Sequence, residues 1–295
     1  MSSLEQRFPN KRVLITGTTS GLGRALSIEF GQRGWKVAVS GLDPAAVKQT
    51  ADLVRAAGGE AMELQLDVTK PEDFAAAARC ITAGWGGLDV LVNNAGVSDG
   101  GRLEDGLSLD NWRLLMDVNM WSIIHGCRAF IPVLRKCGGG HILNVASGAG
   151  LLCLPEMASY NASKAAAIAI SETLKTELIT DNIDVTVLCP TAFQSNIANN
   201  ERVAQCTSVA ARGIMEEIKK SKVTAESVAR YAIRSMEKGK LYSLPQADAR
   251  LMWAISRWLP ENYRNLLTTL FNRRLWLFAP GTTSAAAAAG KPVGN

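Results

Sequence analysis

Six short, almost wholly apolar runs recur through the first two-thirds of this chain, each followed by a longer stretch of helical periodicity. They are "RVLIT" (Arg12–Thr16), "KVAVS" (Lys36–Ser40), "AMELQL" (Ala61–Leu66), "DVLVN" (Asp89–Asn93), "HILNVA" (His141–Ala146) and "DVTVLC" (Asp184–Cys189). Runs this short and this continuously apolar suit strands of a parallel sheet covered on both faces. The intervening stretches, near Leu22–Arg33, Pro44–Ala57, Pro71–Ala83, Trp112–Lys136 and Tyr160–Thr180, read as helices. Strand–helix alternation of this kind predicts an α/β, doubly wound single domain over residues 1–245, with a central parallel sheet of about seven strands. "KLYSL" (Lys240–Leu244) supplies the seventh. Right-handed crossovers would bring the strand C-terminal ends to one edge, where ligands bind.

The remainder differs in character. Residues 246–278 predict a C-terminal extension of amphipathic helices. "ADARLMWAISRWL" places Leu251, Met252, Ile255, Trp258 and Leu259 on one face, with Arg250 and Arg257 opposite. After Pro260, Tyr263, Leu266, Leu267, Leu270 and Phe271 repeat the pattern. Trp253, Trp258 and Trp276, with Arg250, Arg257, Arg273 and Arg274, could mark a helix pair lying on a membrane surface. The favoured alternative is that these faces pack on the domain, cover the pocket or build a subunit interface. Residues 279–295, ending in "GTTSAAAAAGKPVGN", are low-complexity and expected to be disordered.

Composition narrows the function classes. A formal net charge of +5 suits an anionic ligand such as a dinucleotide, and it is too mild for a nucleic-acid footprint. The six cysteines (Cys80, Cys127, Cys137, Cys153, Cys189 and Cys206) show no CxxC spacing, which argues for reduced, buried thiols. With two histidines, His125 and His141, little material exists for a metal site, and none is expected. No apolar run has the length of a membrane span. "MSSLEQRFPNKR" lacks the apolar core of a secretory signal, so a cytoplasmic location is expected.

The glycine-rich "TGTTSGLG" (Thr16–Gly23) leaves the first strand and opens a helix. Gly17 would turn the chain sharply. Gly21 and Gly23 would let the backbone approach a pyrophosphate and the helix pack close to the sheet. The helix N-terminus then offers unpaired N–H groups and its positive dipole end to the phosphates. The alternative is a plain tight strand–helix connection. A Walker A loop is excluded, because no Lys-Ser/Thr follows.

The Gly-x3-Gly-x-Gly spacing, "NNAG" (Asn93–Gly96) after the fourth strand, Ser147 at the exit of the fifth, and Tyr160-x3-Lys164 on the next long helix occur together and in order. In this the chain resembles the short-chain dehydrogenase/reductase family over about residues 10–245. The resemblance implies a Rossmann-like fold, an NAD(P) cofactor and a catalytic tetrad of Asn119 (in "DVNMW"), Ser147, Tyr160 and Lys164. It also places Gly17, Thr19, Ser20, Gly21, Leu22, Gly23, Asp67, Val68, Asn94, Ala95, Gly96, Pro190, Thr191 and Ser195 along the cofactor. Asn93 is expected to tie neighbouring strands together rather than touch substrate. In the family the two long helices form dimer faces, so a homodimer or homotetramer is implied.

The chemistry agrees with the spacing. Hydride delivery to a carbonyl carbon leaves an alkoxide that needs a proton. A phenol with pKa near 10 needs help to exchange that proton at neutral pH. An ammonium one helical turn away favours the phenolate, so Lys164 is expected to lower the pKa of Tyr160. The family adds that Lys164 binds the nicotinamide ribose. Ser147 would orient the substrate oxygen, and Asn119 would hold a water linking Lys164 to solvent. Singly, Ser147 reads equally as a loop cap, Asn119 as an interior hydrogen-bonder and Tyr160 as a helix-end residue.

Cofactor choice is usually set at the end of the second strand, here "VSGLDP". Gly41 stands where NAD-preferring relatives carry Asp, and Leu42 where NADP-preferring ones often carry Arg. Ser20 is neutral, and Asp43 could reach the ribose or merely cap the next helix at Pro44. NAD(H) is therefore favoured over NADP(H). After the sixth strand, "PTAFQS" departs from the family's Pro-Gly-x3-Thr, with Thr191 for the glycine and Ser195 for the threonine. A substrate loop is expected from about residue 191 to 223. "GLLCLPEM" would line the pocket with Leu151, Leu152, Cys153, Leu154 and Met157 beside Ser147, favouring a hydrophobic alcohol, ketone or aldehyde. The alternatives are a 3-oxoacyl-thioester reductase using the same tetrad and, in another class, a non-catalytic nucleotide-sensing or scaffolding protein.

Overall fold

In a computed structural model, residues 3–104, 107–194, 209–273 and 275 are described. Seven parallel strands form the centre: β1 (Arg12–Ile15), β2 (Lys36–Gly41), β3 (Glu60–Gln65), β4 (Val90–Asn93), β5 (Gly140–Val145), β6 (Ile183–Leu188) and β7 (Tyr242–Ser243). Their order across the sheet is β3-β2-β1-β4-β5-β6-β7. The order reverses between β1 and β4, which pair through Val13–Val90, Leu14–Leu91 and Ile15–Val92. That crevice, beyond the carboxyl ends of β1 and β4, is where a doubly wound sheet leaves room for a ligand.

Alternation along each strand divides the apolar runs between two cores. Val13, Ile15, Val37, Val39, Val90 and Val92 face one side, while Leu14, Ala38 and Leu91 face the other. The first core is closed by α2 (Gly21–Gln32) and α3 (Pro44–Ala56), through Leu26, Phe30, Ala51 and Val54, and by α10 (Ala225–Glu237) through Val228 and Ala232. The second is closed by α4 (Pro71–Trp85), α6 (Ser122–Lys136) and α8 (Ala158–Glu177), through Phe74, Ile81, Phe130, Leu134 and Ile168. The short α1 (Leu4–Arg7) buries Leu4 in the first core.

Three elements depart from the sequence expectation. β3 lies at the sheet edge and exposes Glu60, Glu63 and Gln65, so it is not covered on both faces. β7 is two residues long rather than five. The helix expected from Trp112 begins earlier, as α5 (Leu109–Met116), and runs through a π-helical turn at Asp117–Trp121 into α6. Ser108 starts α5 by accepting from the Asn111 N–H.

The C-terminal region forms α11 (Ala247–Trp258) and α12 (Pro260–Asn272). A short α7 (Gly148–Leu152) and α9 (Val209–Lys220) complete the helices described. Leu152 packs with Tyr263 and Leu267, joined by Leu151, Leu154, Met252, Trp253 and Ile255. The expected single apolar face of α11 is corrected here: Ala249, Met252, Trp253 and Ile255 point inward, while Leu251, Trp258 and Leu259 are exposed. At about 100° per residue, that apolar arc is wider than the surface it packs against. On α12, Leu266 is likewise exposed while Tyr263 and Leu267 are buried.

The cysteine expectation is also modified. The five described cysteines are free, but Cys80 and Cys153 are exposed and only Cys127 and Cys189 are buried. Among the described residues, no helix is long and apolar enough to cross a membrane.

Candidate active site

The glycine turn is built as a cradle. Gly17 sits at φ +68°, and a Cβ there would lie 2.9 Å from the Cα of Ala95. A Cβ on Gly23 would lie 2.2 Å from the Gly17 carbonyl oxygen. Side chains at these positions would fill the gap between α2 and the exits of β1 and β4. Ser20 precedes α2 without capping it through its side chain, and no acidic residue occupies the first turn. The N–H groups and positive dipole end of α2 thus remain available to an anion. These features fit the pyrophosphate of a dinucleotide.

Neighbouring side chains hold that turn rigid. The Asn94 side-chain amide donates to the carbonyls of Thr16 and Gly17 at 2.8 and 3.0 Å. The Thr16 hydroxyl accepts from the N–H groups of Asn94 and Ala95. Asn93 donates to Asn144 at 2.9 Å and so links β4 to β5. A Cβ on Gly41 would lie 2.7 Å from the Thr19 methyl group, so Thr19 occupies the space above the end of β2.

Asp43 is exposed, and its carboxylate accepts from the Ala45 N–H to cap α3. α2 carries a cation the sequence reading passed over. Arg24 donates to the Thr19 carbonyl at 2.5 Å, to the Gln49 amide oxygen and to the Thr50 hydroxyl. Asp67 is held by its own turn, accepting from the backbone and hydroxyl of Thr69. Burial pushes its carboxyl up, but the Thr69 bonds and nearby Lys70 outweigh this and keep it below its usual range. Val68 is partly buried against the second core.

Across the crevice, four side chains meet at the exits of β4 and β5. Tyr160 lies in the first turn of α8, packed against Leu115 and Met157 with Val97 and Ala149 alongside. Lys164, one turn on, is buried and donates to the Val145 carbonyl at 3.1 Å. Its Nζ stands 5.9 Å from the Tyr160 ring centre. Ser147 caps α7, accepting from the Ala149 N–H at 3.1 Å, and its hydroxyl donates to the Pro190 carbonyl at 3.5 Å, near enough to Tyr160 to act on its phenol. Asn119, on the π-helical turn, donates to the Val97 carbonyl and accepts from the Val97 N–H, both at 2.9 Å. Gly96 closes the group: a Cβ there would stand 3.1 Å from the Lys164 Nζ and 3.2 Å from the Asn119 amide oxygen.

Burial dominates the electrostatics, against the expectation that Lys164 would lower the phenol. It pushes the Tyr160 hydroxyl up, and the hydrogen bond from Ser147 offsets part of this. It brings the Lys164 ammonium down to about 8, with Cys189 acting in the opposite direction. Both groups sit in a low-dielectric environment, which disfavours the charged form of each.

Ser163 was missed by the sequence reading. Its hydroxyl accepts from Asn119 at 3.0 Å and donates to the Tyr160 carbonyl at 2.9 Å, joining two members of the group. Its place between Tyr160 and Lys164 in "YNASK" was the available signal.

A family model described as short chain dehydrogenase matches residues 11–205. The chain belongs to the short-chain dehydrogenase family. It is 34% identical over 197 residues to 2,5-dichloro-2,5-cyclohexadiene-1,4-diol dehydrogenase LinX of Sphingobium indicum, covering 67% of this chain and 78% of that one. SadH of Mycobacterium tuberculosis, named as an oxidoreductase, is 28% identical over 262 residues, 88% of this chain and 95% of its own. A solved short-chain dehydrogenase/reductase from Burkholderia phymatum, in complex with NAD, superposes with a TM-score of 0.78 at 31% identity. That likeness covers 83% of this chain and 92% of the other.

In this short-chain dehydrogenase the C-terminal helices reach the site from outside. The Tyr263 hydroxyl donates to the Leu152 carbonyl at 2.9 Å, and Arg264 donates to the carbonyls of Leu152 and Cys153. Gln246 accepts from the Thr191 N–H at 3.1 Å, and its amide donates to the Ala192 carbonyl. The Thr191 methyl group fills the space where a Cβ on Gly148 would lie, 2.7 Å away. Pro190, which precedes it, accepts from the Gly148 N–H. Ser195 lies outside the described residues.

The residues expected to line a substrate pocket are divided. Leu152 is buried under Tyr263, Leu151 and Leu154 pack beside it, and Cys153 is exposed at φ +51°. Of the five, Met157 stands against Tyr160. Tyr263→Phe is expected to cost about 1 kcal/mol for one hydrogen bond. Differential scanning calorimetry should show this as a melting temperature lower by roughly 2 °C.

Proposed function

We propose that this protein is an NAD(P)-dependent oxidoreductase that interconverts a hydrophobic alcohol and its ketone or aldehyde. The convergence of Ser147, Tyr160 and Lys164 beside the glycine turn carries this reading. A bound nicotinamide would supply or accept the hydride. Gly17, Gly21 and Gly23, with the N-terminus of α2, would hold its pyrophosphate, and Lys164 would face the ribose beneath Gly96.

The residues then divide the proton chemistry. Ser147 orients the carbonyl oxygen toward the phenol of Tyr160. Because burial keeps that phenol protonated, it acts as the general acid when hydride is delivered to the carbonyl. The charged Lys164 stabilises the phenolate left behind. Asn119 and Ser163 fix the turn of α8 that carries both. The apolar neighbours of Tyr160, namely Leu115, Met157, Val97 and Ala149, support an apolar substrate. NAD(H) is the proposed cofactor: Asp43 is exposed just past the end of β2, where a ribose hydroxyl could donate to it, and Arg24 is bonded to protein on three sides. Self-association through α6 and α8 is supported by the apolar depression between them, lined by Ile124, Ile131, Ile170 and Leu174.

The proton roles can be checked by pH. In the free enzyme, kcat/KM for carbonyl reduction is expected to fall as pH rises through about 8, where Lys164 loses its charge. Lys164→Arg keeps the charge at all accessible pH, so this alkaline limb should disappear. A limb that persists unmoved in the variant would assign it to another group. Fluorescence titration with NADH and NADPH separately, followed by turnover on a panel of apolar ketones, tests the reading as a whole. No binding of either cofactor would sink it.

A further inference from the structure

α11 is apolar on two sides, and only one of them is used. Its inward residues Met252, Trp253 and Ile255 pack with Leu152, Tyr263 and Leu267. Its outward side carries Leu251 and Trp258, seven residues and two turns apart, with Leu259 at the helix end. These are 62%, 83% and 54% exposed. A globular protein normally places polar residues on such a face, and a contiguous apolar exception marks a contact surface.

The charge around the stripe is mostly positive. Arg250 and Arg257 lie on the same flank of α11, and Arg264 and Arg273 follow on or just beyond α12. Among the described residues none of these four forms an ion pair. Arg250 donates to the Leu244 and Pro245 carbonyls, and Arg257 lies over the Trp253 ring. Asp248 and Glu261 are the acidic residues of the two helices, and no acidic residue follows Glu261 in the sequence.

We propose that the outward face of α11 docks on an anionic lipid bilayer, with Trp258, Leu251 and Leu259 entering the headgroup region and the exposed Arg257 and Arg273 meeting lipid phosphates. An apolar stripe with tryptophan and leucine, edged by arginine, is the composition of a helix that lies in the membrane interface. A second copy of this chain is the poorer occupant. A twofold contact would bring the same arginines of both copies together with few carboxylates to neutralise them. The position of the face gives docking a consequence. Through Tyr263 and Arg264 the same helix pair holds the segment after Ser147, so docking would bring the bilayer to the outer side of the helices that cover this part of the candidate site. The inference stands apart from the hydride-transfer reading, and its test assays no turnover.

The test is co-sedimentation of the full-length protein with vesicles of phosphatidylcholine alone and of phosphatidylcholine mixed with phosphatidylglycerol. The wild type should sediment with the mixed vesicles, and less so as salt is raised. A Leu251→Glu/Trp258→Glu double variant should partition about tenfold less or weaker. Both replaced side chains are exposed, so its melting temperature should match that of the wild type, which separates lost docking from lost folding. Absence of wild-type binding to mixed vesicles, or equal binding by the double variant, would overturn the proposal. So would a fall in the mass of the soluble protein on double substitution, measured by sedimentation velocity, without any vesicle binding. That result would assign the face to a second copy.

Discussion

Replacing Tyr160 with phenylalanine is expected to lower kcat for carbonyl reduction by about 10²- to 10⁴-fold, the usual worth of a positioned general acid. The substitution removes one oxygen and little else. The ring keeps its packing against Leu115 and Met157, and Ser163 still donates to the backbone carbonyl of residue 160. Ser147 remains bound to the Ala149 N–H and the Pro190 carbonyl, so α7 keeps its cap. Cofactor affinity, measured by nicotinamide fluorescence, should therefore stay within about threefold of wild type, since the glycine turn and Lys164 are untouched. A large fall in kcat with unchanged affinity is the signature of a proton lost from the transition state. Equal losses in both would point to a structural role for the hydroxyl. An unchanged kcat would mean that the proton comes from elsewhere and would remove the central step of the proposed mechanism.

The sequence exposed the sheet because its interior strands are buried on both sides, which leaves a nearly unbroken apolar signature in each. β1 and β4 are the clearest cases, each fully buried along its length. β3 was harder to delimit, since an edge strand need satisfy only one covered face. The residues that meet at the exits of β4 and β5 were named through the family resemblance, which rested on the Tyr160-x3-Lys164 spacing and on the position of Ser147 after a strand; the structure brings them together. Their electrostatics were not legible in this way. Helical spacing reports that a phenol and an ammonium are neighbours, but whether burial or attraction prevails depends on the layers above them.

The same limit hid the bracing residues. Asn94 reads as a ligand-facing loop residue, yet its amide is taken up by the carbonyls of Thr16 and Gly17, almost eighty positions away in sequence. Gln246 gives no sequence sign that it clamps Thr191. The periodicity of α11 announced an amphipathic helix but could not say which part of a wide apolar arc would find the domain. That was decided by the position of Leu152.

Removal of the Asp89 carboxylate should have the largest effect on the fold with the least direct effect on the site. Asp89 accepts from the Arg12 backbone N–H at 2.8 Å and from two nitrogens of its guanidinium, at 2.8 and 3.0 Å. Arg12 also donates to the Trp85 carbonyl. Both side chains are buried, about 7% exposed, where β1 and β4 begin. Burying such a pair is costly, and its mutual attraction offsets that cost only while both members are present. Asp89→Ala strands the Arg12 charge with no carboxylate, beside only the Trp85 carbonyl and the Cys137 thiol, and the expected loss is about 3–5 kcal/mol. A loss of that size is a large share of the roughly 5–15 kcal/mol that holds a domain folded. Urea titration should show a lower midpoint with a similar slope, because the surface exposed on unfolding is nearly the same. The glycine turn and "NNAG" leave the opposite ends of these two strands. Below the unfolding transition, cofactor affinity should therefore stay close to wild type. A variant that remains stable yet binds cofactor poorly would show that the β1–β4 register, and not only the turns beyond it, shapes the crevice. Arg12→Met/Asp89→Leu, which removes both charges, should recover much of the loss, because no unpaired ion is then left inside.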